Sequence, residues 1–493
     1  MQNAGPPQVL PGPLRGGRSA TAASGGAHLR LRAFFFACCC LTVTSAFASA
    51  PVPPSVMQAL KAAGIPSQAV AIVAGPVDGA TVAVRHRGDA AMNPASLMKL
   101  VTTFGALELL GPAHTWRTEI LADSPPQNGV LAGDLYLRGS GDPKLTYDRL
   151  WILLRELRGR GVKEIRGDLV LDKSAFAVVD HDPAAFDGKS QRPYNVGPDA
   201  LLFNFATLHL TLIPPDTPGG SVRVLAEPLP ADFAVVNRLQ ATDAKHCGEW
   251  RERLEAKLAA GKVELSGPFP SVCGEKRWHL AGLPNGLLLQ GVFTRLWREL
   301  GGEFSGQLRD RPTPANAIAL ASSESPALGE LVRDINKFSN NVMARQLFLK
   351  IGAGETATAD TALRAWLAKK GLNFTELVFD NGSGLSRRER ISADNLARLL
   401  AAGWRSPVMP ELMSSLPIAA IDGTTRKKFN GNGVAGQAHL KTGSLEGVRG
   451  IAGYLLDKNG RRHIVVFMVN HPNADAAQPA FDALLEWLWG GVS

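Results

Sequence analysis

The pattern of apolar and polar residues at the two ends of the chain differs from the pattern in its middle. Toward the N-terminus, the apolar periodicity predicts a helix over residues 55–63, strands over 69–74 and 81–87, and a helix over 96–110. Toward the C-terminus, it predicts a strand over 437–442, a β-hairpin that turns at Asn459-Gly460, and a helix over 478–489. Both ends therefore mix helices with short, strongly apolar strands.

The middle of the chain, residues 117–285, contains short alternating runs that predict β-hairpins and small sheets. Breaks rich in proline and glycine separate these runs, as in residues 214–220. A helical pattern resumes over 292–300. The pattern therefore predicts a β-rich region inserted between two mixed α and β segments.

A Ser-x-x-Lys motif begins the predicted helix over 96–110. Residues three apart on a helix are neighbours, so the hydroxyl of Ser96 and the amine of Lys99 can meet. A serine becomes a good nucleophile when an adjacent base takes its proton, and a lysine can serve if burial or nearby cations lower its pKa. The alternative is an amphipathic helix with an incidental serine and lysine.

A second motif, Lys441-Thr442-Gly443-Ser444, lies on the predicted strand beside the hairpin. The Lys441 charge and the hydroxyls of Thr442 and Ser444 form a suitable cradle for a carboxylate. Gly443 would allow a ligand to approach the strand closely. The alternative is an edge strand that carries a solvated lysine.

A third motif, Ser339-Asn340-Asn341, lies in a predicted turn between two helical segments. A hydroxyl and a carboxamide at such a turn can relay a proton and hold a substrate amide. Turn formation alone would also explain these residue types. The three motifs together resemble the set Ser-x-x-Lys, Ser-Asp-Asn and Lys-Thr-Gly that penicillin-binding proteins and class A β-lactamases share.

Beyond the motifs, the chain resembles the D-alanyl-D-alanine carboxypeptidase/endopeptidases of the penicillin-binding protein 4 group, serine peptidase family S13. Further segments that carry the resemblance span residues 135–143, 167–172, 380–387, 416–424 and 439–445. Two positions depart from the usual pattern. Asn340 stands where the middle motif has aspartate, and Ser444 stands where many relatives have threonine, which keeps the hydroxyl.

The resemblance implies an α/β (α+β) penicillin-binding fold, in which an antiparallel sheet has helices on both faces. It also implies a discontinuous catalytic domain, 51–116 with 286–493, and a mostly β insert at 117–285 divided into two subdomains. The implied catalytic residues are Ser96, Lys99, Ser339 and Lys441. The implied substrate-binding residues are Asn341, Thr442, Gly443 and Ser444. The implied ligands are peptidoglycan stem peptides and cross-links, with β-lactams as acylating inhibitors.

The N-terminus reads as a secretory signal peptide over residues 1–50. Arginines precede an apolar run of about fifteen residues, which is short for a membrane span, and small residues follow. Cleavage is expected after Ala48 or Ala50. The resemblance then places the mature chain in the periplasm.

The charge balance changes once the predicted signal is removed. The whole chain carries +9, but residues 1–50 hold four arginines and no acid, which leaves 49 basic against 44 acidic residues. The basic residues are scattered, so nucleic-acid binding has no support. The net charge of the mature chain is too small to decide whether it associates loosely with the membrane.

Two cysteines remain in the predicted mature chain, Cys247 and Cys273. An even pair in an exported protein predicts a disulfide, and two free thiols are the alternative. No metal-ligand spacing, phosphate loop or other cofactor signal occurs in the sequence. His439 falls on the same strand face as Lys441 and could line the site, but a packed or solvated histidine is the favoured explanation.

Two other functions remain open from sequence. A β-lactamase-like hydrolase would share the motifs but would release its acyl group quickly. A non-catalytic scaffold that binds peptidoglycan would need none of the catalytic side chains.

Overall fold

The computed structural model describes residues 51–79, 82–177, 181–217, 219–259, 261–431 and 433–491. The predicted signal peptide, residues 1–50, lies outside the described residues. In this part of the chain the helices are α1 (Pro54–Ala62), α2 (Lys99–Leu109), α3 (Tyr147–Gly159), α4 (Asn285–Glu299), α5 (Leu328–Lys337), α6 (Asn341–Ile351), α7 (Thr356–Lys369), α8 (Ala393–Trp404), α9 (Met409–Ser415) and α10 (Gln478–Trp489).

The strands belong to one sheet formed by the two chain ends and to several sheets between them. In chain order they are β1 (Val70–Pro76), β2 (Val84–His86), β3 (Arg117–Ala122), β4 (Val130–Leu131), β5 (Leu135–Gly139), β6 (Glu164–Ile165), β7 (Leu169–Asp172), β8 (Thr207–Ile213), β9 (Arg223–Glu227), β10 (Ala234–Thr242), β11 (Glu255–Ala259), β12 (Lys262–Pro270), β13 (Lys276–Ala281), β14 (Glu303–Phe304), β15 (Leu308–Asp310), β16 (Ile318–Glu324), β17 (Ala438–Leu445), β18 (Val448–Leu456) and β19 (Arg462–Asn470).

The two chain ends share one antiparallel sheet with the strand order β17-β18-β19-β1-β2. Its centre pairs Val70 with Val469 and Ile72 with Phe467, which joins the ends of the chain across the middle region. Helices α1 and α10 pack on one face of this sheet. Helices α2, α5, α6 and α8 contribute to the core on the other face.

Burial on both faces explains the uninterrupted apolar run in β19. Val465 and Phe467 point toward α1 and α10, whereas Val466 and Met468 point toward the opposite core. A strand covered on both faces has no polar alternation, because neither set of side chains meets water. The fold class predicted from sequence is therefore confirmed for the sheet and its flanking helices.

The middle region contains a five-stranded sheet with the order β15-β7-β5-β3-β16 and three small sheets. Helices α3 and α4 bury apolar side chains against the five-stranded sheet. Strands β15 and β16 follow residue 286 and nevertheless lie in it, so this sheet extends to Glu324. The division of the chain at residue 285 stays a prediction, and we propose that the insert ends after β16.

Cys247 and Cys273 form a disulfide across a sequence separation of 26 residues. Cys273 is buried, and both cysteines belong to a small core that is shared by the β10-β12-β11 and β13-β8-β9 sheets. The disulfide therefore cross-links the part of the middle region that these two sheets form, where the apolar core is small.

No helix in the described part of the chain is long and apolar enough to cross a membrane.

Candidate active site

Ser96 lies in a 3-10 turn, Ala95–Met98, that leads directly into α2. The predicted helix over 96–110 is thus divided, and its α-helical part begins at Lys99. In a 3-10 turn residues three apart eclipse each other, which brings Ser96 Oγ within 2.9 Å of Lys99 Nζ. Ala95, just before the serine, has a φ of 46°, which is an unfavourable backbone conformation for a residue other than glycine. The chain therefore turns sharply where it presents the hydroxyl.

The loop before Ser96 is held by side-chain amides. Asn93 Oδ1 accepts from the Ala95 N–H at 2.8 Å, and Asn93 Nδ2 donates to the Ser386 carbonyl at 2.8 Å. Asn470, at the end of β19, accepts from the Asn93 N–H at 2.8 Å. These bonds fix the strained turn between the central sheet and a second loop.

Lys99 is fully buried, and its amine contacts three oxygen atoms. Besides Ser96 Oγ, Nζ lies 2.6 Å from Asn341 Oδ1 and is hydrogen-bonded to the Ser383 carbonyl. Burial, followed by the positive charge of Lys441, holds the Lys99 pKa well below its ordinary value. Amide oxygens only accept hydrogen bonds. In its neutral form the amine donates its two hydrogens to Asn341 and Ser383 and offers its lone pair to the Ser96 hydroxyl.

The Ser383 carbonyl is positioned by a buried carboxylate that sequence reasoning missed. Glu389 Oε1 accepts from the N–H groups of Asp380, Asn381 and Gly382 at 3.2, 3.1 and 2.9 Å. Burial raises the pKa of Glu389. Three converging N–H groups on one carboxylate oxygen keep this loop in place beneath Lys99.

Ser339 occupies a tight turn between α5 and α6, with a φ of 55°. Asn340 caps α6, since its side chain accepts from the Met343 N–H at 3.1 Å. Asparagine and aspartate cap helices about equally well, so the Asn340 departure leaves this turn intact. Asn341 is the first residue of α6, and its Nδ2 donates to the Tyr194 carbonyl at 3.3 Å.

Lys441 lies on β17 and is fully buried. Its Nζ lies 2.9 Å from Ser339 Oγ and 2.8 Å from the Thr442 carbonyl. Burial lowers the pKa of Lys441 to about 7. The second lysine therefore links the strand motif to the turn motif.

Gly443 is required by the neighbouring loop. A Cβ atom at this position would lie 2.7 Å from the Pro94 carbonyl, in the segment that leads to Ser96. The structure shows that this glycine admits the loop that carries the nucleophile. The close approach of a ligand here stays a prediction. Next to it, Thr442 Oγ1 lies 2.8 Å from Thr424 Oγ1.

Five of the predicted residues line one cleft of about 690 Å³: Ser96, Ser339, Asn341, Thr442 and Ser444. The amines of Lys99 and Lys441 reach the hydroxyls of Ser96 and Ser339 from within the protein. Gly443 contributes the close backbone contact described above. The structure thus brings the predicted residues together, whereas His439 does not line this cleft.

Several cleft residues were not predicted from the motifs. Phe186, Asp187, Lys189 and Tyr194 come from a loop of the middle region. Thr424 lies in a segment that carried the family resemblance, which was the one signal that could have identified it. The charged rim includes Arg387, whose guanidinium lies 3.2 Å from Glu446, and an ion pair between Arg449 and Asp475.

Within the described residues, no group of three or more His, Cys, Asp or Glu side chains could hold a metal ion. A serine hydroxyl that is hydrogen-bonded to a buried lysine, with a second buried lysine on a neighbouring strand, is suited to acyl transfer. The fold and this site define the class of penicillin-binding serine enzymes.

Comparison with known proteins identifies the family within this class. The family model "D-Ala-D-Ala carboxypeptidase 3 (S13) family" matches residues 54–488, and the chain belongs to this family of serine D-Ala-D-Ala carboxypeptidases. The resemblance to the penicillin-binding protein 4 group is thereby confirmed.

Two relatives are similar over most of the chain. D-alanyl-D-alanine carboxypeptidase DacB of Haemophilus influenzae is 27% identical over 408 residues, covering 78% of this chain and 82% of the relative. A D-alanyl-D-alanine carboxypeptidase of Actinomadura sp. is 29% identical over 391 residues, covering 74% of this chain and 71% of the relative.

Solved structures support the fold. The crystal structure of penicillin binding protein 4 (DacB) from Haemophilus influenzae matches with a TM-score of 0.73 at 24% identity. The match covers 88% of this chain and 99% of that one. A second structure of the same protein, in complex with a β-lactam, matches with a TM-score of 0.68 at 23% identity.

Proposed function

We propose that this chain is an exported serine D,D-peptidase that cleaves D-Ala-D-Ala termini and D,D-cross-links of peptidoglycan through an acyl-enzyme on Ser96. The observation that carries the proposal is the buried Lys99 amine within 2.9 Å of Ser96 Oγ, with its hydrogens directed at two amide oxygens. Family membership supplies the substrate class.

In the first half of the reaction, Ser96 Oγ attacks the carbonyl carbon of the scissile amide and passes its proton to Lys99 Nζ. The backbone N–H groups of Ser96 and Ser444 hold the resulting oxyanion, an interaction often worth about 3 kcal/mol. The C–N bond then breaks. The departing amine takes a proton through Ser339, whose hydroxyl lies 2.9 Å from Lys441 Nζ. Lys99 passes the proton that it took from Ser96 to this pair and is neutral again. The acyl group remains on Ser96 as an ester.

Substrate binding uses the remaining side chains of the cleft. Asn341 orients the amide on the acyl side of the scissile bond, while Thr442 and Ser444 receive the terminal carboxylate. Lys441 adds positive charge close to that carboxylate. In the second half, water attacks the ester carbon and gives a proton to Lys99. Lys99 returns this proton to Ser96 Oγ as the ester bond breaks, so the acid product leaves and the Ser96 hydroxyl is restored.

The same geometry accounts for an inhibitor class. A β-lactam presents a strained amide next to a carboxylate, as does a D-Ala-D-Ala terminus. Ser96 would open the ring, and the leaving nitrogen would stay attached to the acyl group. Slow hydrolysis of that ester would trap the enzyme.

An exported location is supported by two features. Residues 1–50 carry the pattern of a cleavable signal peptide. The Cys247–Cys273 disulfide is suited to an oxidising compartment such as the periplasm, where the wall peptides are also found.

The test is to incubate the mature protein with labelled penicillin and to map the adduct by mass spectrometry. We expect a stable adduct on Ser96, none on Ser96→Ala, and the wild-type adduct on Ser414→Ala, which removes an exposed serine hydroxyl on α9. Likewise, wild type and Ser414→Ala should release D-alanine from a pentapeptide, and Ser96→Ala should not.

The alternatives give different results. Rapid penicillin turnover without a trapped adduct would indicate a β-lactamase. Absence of any reaction with folded protein would indicate a non-catalytic scaffold. Its binding to peptidoglycan should survive Ser96→Ala.

A further inference from the structure

A second cavity, of about 380 Å³, adjoins the catalytic cleft on the side of Ser339. We call it the histidine groove. Its lining includes Tyr194, Phe205, His209, His279, Phe338 and Asn341. Tyr194, Ser339 and Asn341 line both this groove and the catalytic cleft, so the two cavities lie next to each other.

One wall of the groove is a face of the β13-β8-β9 sheet. His209 on β8 and His279 on β13 are directly paired across the strands, with ring centroids 4.4 Å apart. Burial, the paired ring and Arg277 lower the pKa of His209 to about 4, and burial with nearby arginines lowers that of His279. Both imidazoles are therefore neutral near pH 7 and can stack on or hydrogen-bond to a peptide.

The opposite wall is the turn that carries the catalytic Ser339. Phe338, the residue before it, is 69% exposed, although the last residues of α5 before it, Ile335–Lys337, are buried. A large apolar ring left in water beside a catalytic turn is a ready contact for a ligand. The groove thus offers an aromatic surface on each side.

The surroundings of the groove are positively charged. The charges of Arg277 and Arg251 both lower the pKa of His279, and the charge of Arg192 lowers the pKa of Arg251. None of the ion pairs within the described residues involves these three guanidinium groups, although Glu249 is close enough to affect Arg251. A set of arginines without ion-pair partners favours a ligand that carries a carboxylate.

The position of the groove identifies which part of a substrate can reach it. In the proposed function the departing amine leaves toward Ser339, so the groove begins where the leaving group emerges. A released D-alanine is a single residue and has nothing further to place there. The amine-side strand of a cross-link continues as a peptide and ends in a free carboxylate.

We propose that the histidine groove binds the amine-side peptide of a D,D-cross-linked substrate, with its carboxylate toward Arg277 and Arg251. This inference rests on the proposed function and deepens it, since it assigns residues that distinguish cross-link cleavage from terminal trimming. The aromatic walls hold the peptide and the arginines orient it.

The test compares two substrates of the mature protein, a D,D-cross-linked peptide dimer and a monomeric pentapeptide that ends in D-Ala-D-Ala. In Arg277→Glu, we expect KM for the dimer to rise by about fivefold, with less effect at high salt. KM for the pentapeptide and the rate of penicillin acylation should stay unchanged. Arg223→Glu, on the far strand of the same sheet, is the matched control and should change nothing.

His279→Ala provides a second variant, because it removes one ring without changing the net charge near pH 7. It should also raise KM for the dimer selectively. Equal dimer kinetics for Arg277→Glu and Arg223→Glu, or a wild-type enzyme that cleaves only the pentapeptide, would overturn the inference. In either case acylation of Ser96 by penicillin would persist, whereas its loss would refute the proposed function itself.

Discussion

Replacing Lys441 with methionine should stabilise the folded protein while it abolishes catalysis. Lys441 is fully buried, and burial lowers its pKa from the ordinary 10.5 to about 7. The charged amine is thus destabilised in the folded state relative to the unfolded chain. Methionine has a similar length and no charge to bury.

The size of the effect depends on pH in a defined direction. Between about pH 7 and 10.5 the unfolded chain binds more protons at this site than the folded protein, so wild-type stability rises with pH in this window. Below pH 7 the full penalty applies. The lowered pKa corresponds to a penalty of about 5 kcal/mol at pH 6 and about 2 kcal/mol at pH 9.

The variant also loses the hydrogen bonds of Nζ to Ser339 Oγ and the Thr442 carbonyl. The informative quantity is therefore the change with pH, about 3 kcal/mol between pH 6 and pH 9. If the chain unfolds as one unit, this equals roughly 3 °C in the difference between the two melting temperatures.

The assay is thermal unfolding of both proteins across this pH range. The advantage of Lys441→Met over wild type should shrink as pH rises. Lys458→Met, at an exposed lysine in the β18–β19 turn, is the control and should show no such trend. Parallel curves for wild type and Lys441→Met would refute the reasoning that burial of this charge costs stability.

Three further outcomes follow from the geometry. Gly443→Ala would place a methyl group 2.7 Å from the Pro94 carbonyl, so stopped-flow acylation by a chromogenic β-lactam should slow by about a hundredfold while the protein stays folded. Asn340→Ala should lose about 1 kcal/mol of unfolding free energy in urea titration, whereas Asn340→Asp should lose little. Reduction of the Cys247–Cys273 disulfide should destabilise the middle region by about 3 kcal/mol, seen as faster hydrogen exchange there with unchanged exchange in the central sheet.

The sequence alone predicted the local parts of this site. Ser96 and Lys99 are three residues apart, so any helical turn brings their side chains together. The strand that carries Lys441 and the hairpin beside it also follow from residue patterns within about thirty positions of the chain. Periodicity and turn residues act over such short distances and can be read without the fold.

The environment that makes these residues reactive was decided by tertiary structure. Lys99 meets Asn341 across 242 positions of sequence and Ser383 across 284, and these contacts remove its amine from water. The fit of Gly443 against Pro94 likewise arises from packing between distant segments. A pKa depends on burial and on charges in space, which no local pattern records.

The extent of the middle region was likewise predicted only in part from the sequence. Its short alternating strands were predicted from sequence, but β15 and β16 join the same sheet from beyond the predicted boundary at residue 285. Strand pairing depends on which edges meet in space. Sequence therefore determined the reactive groups and their local geometry, whereas the packing of distant segments determined their burial, their partners and the groove beside them.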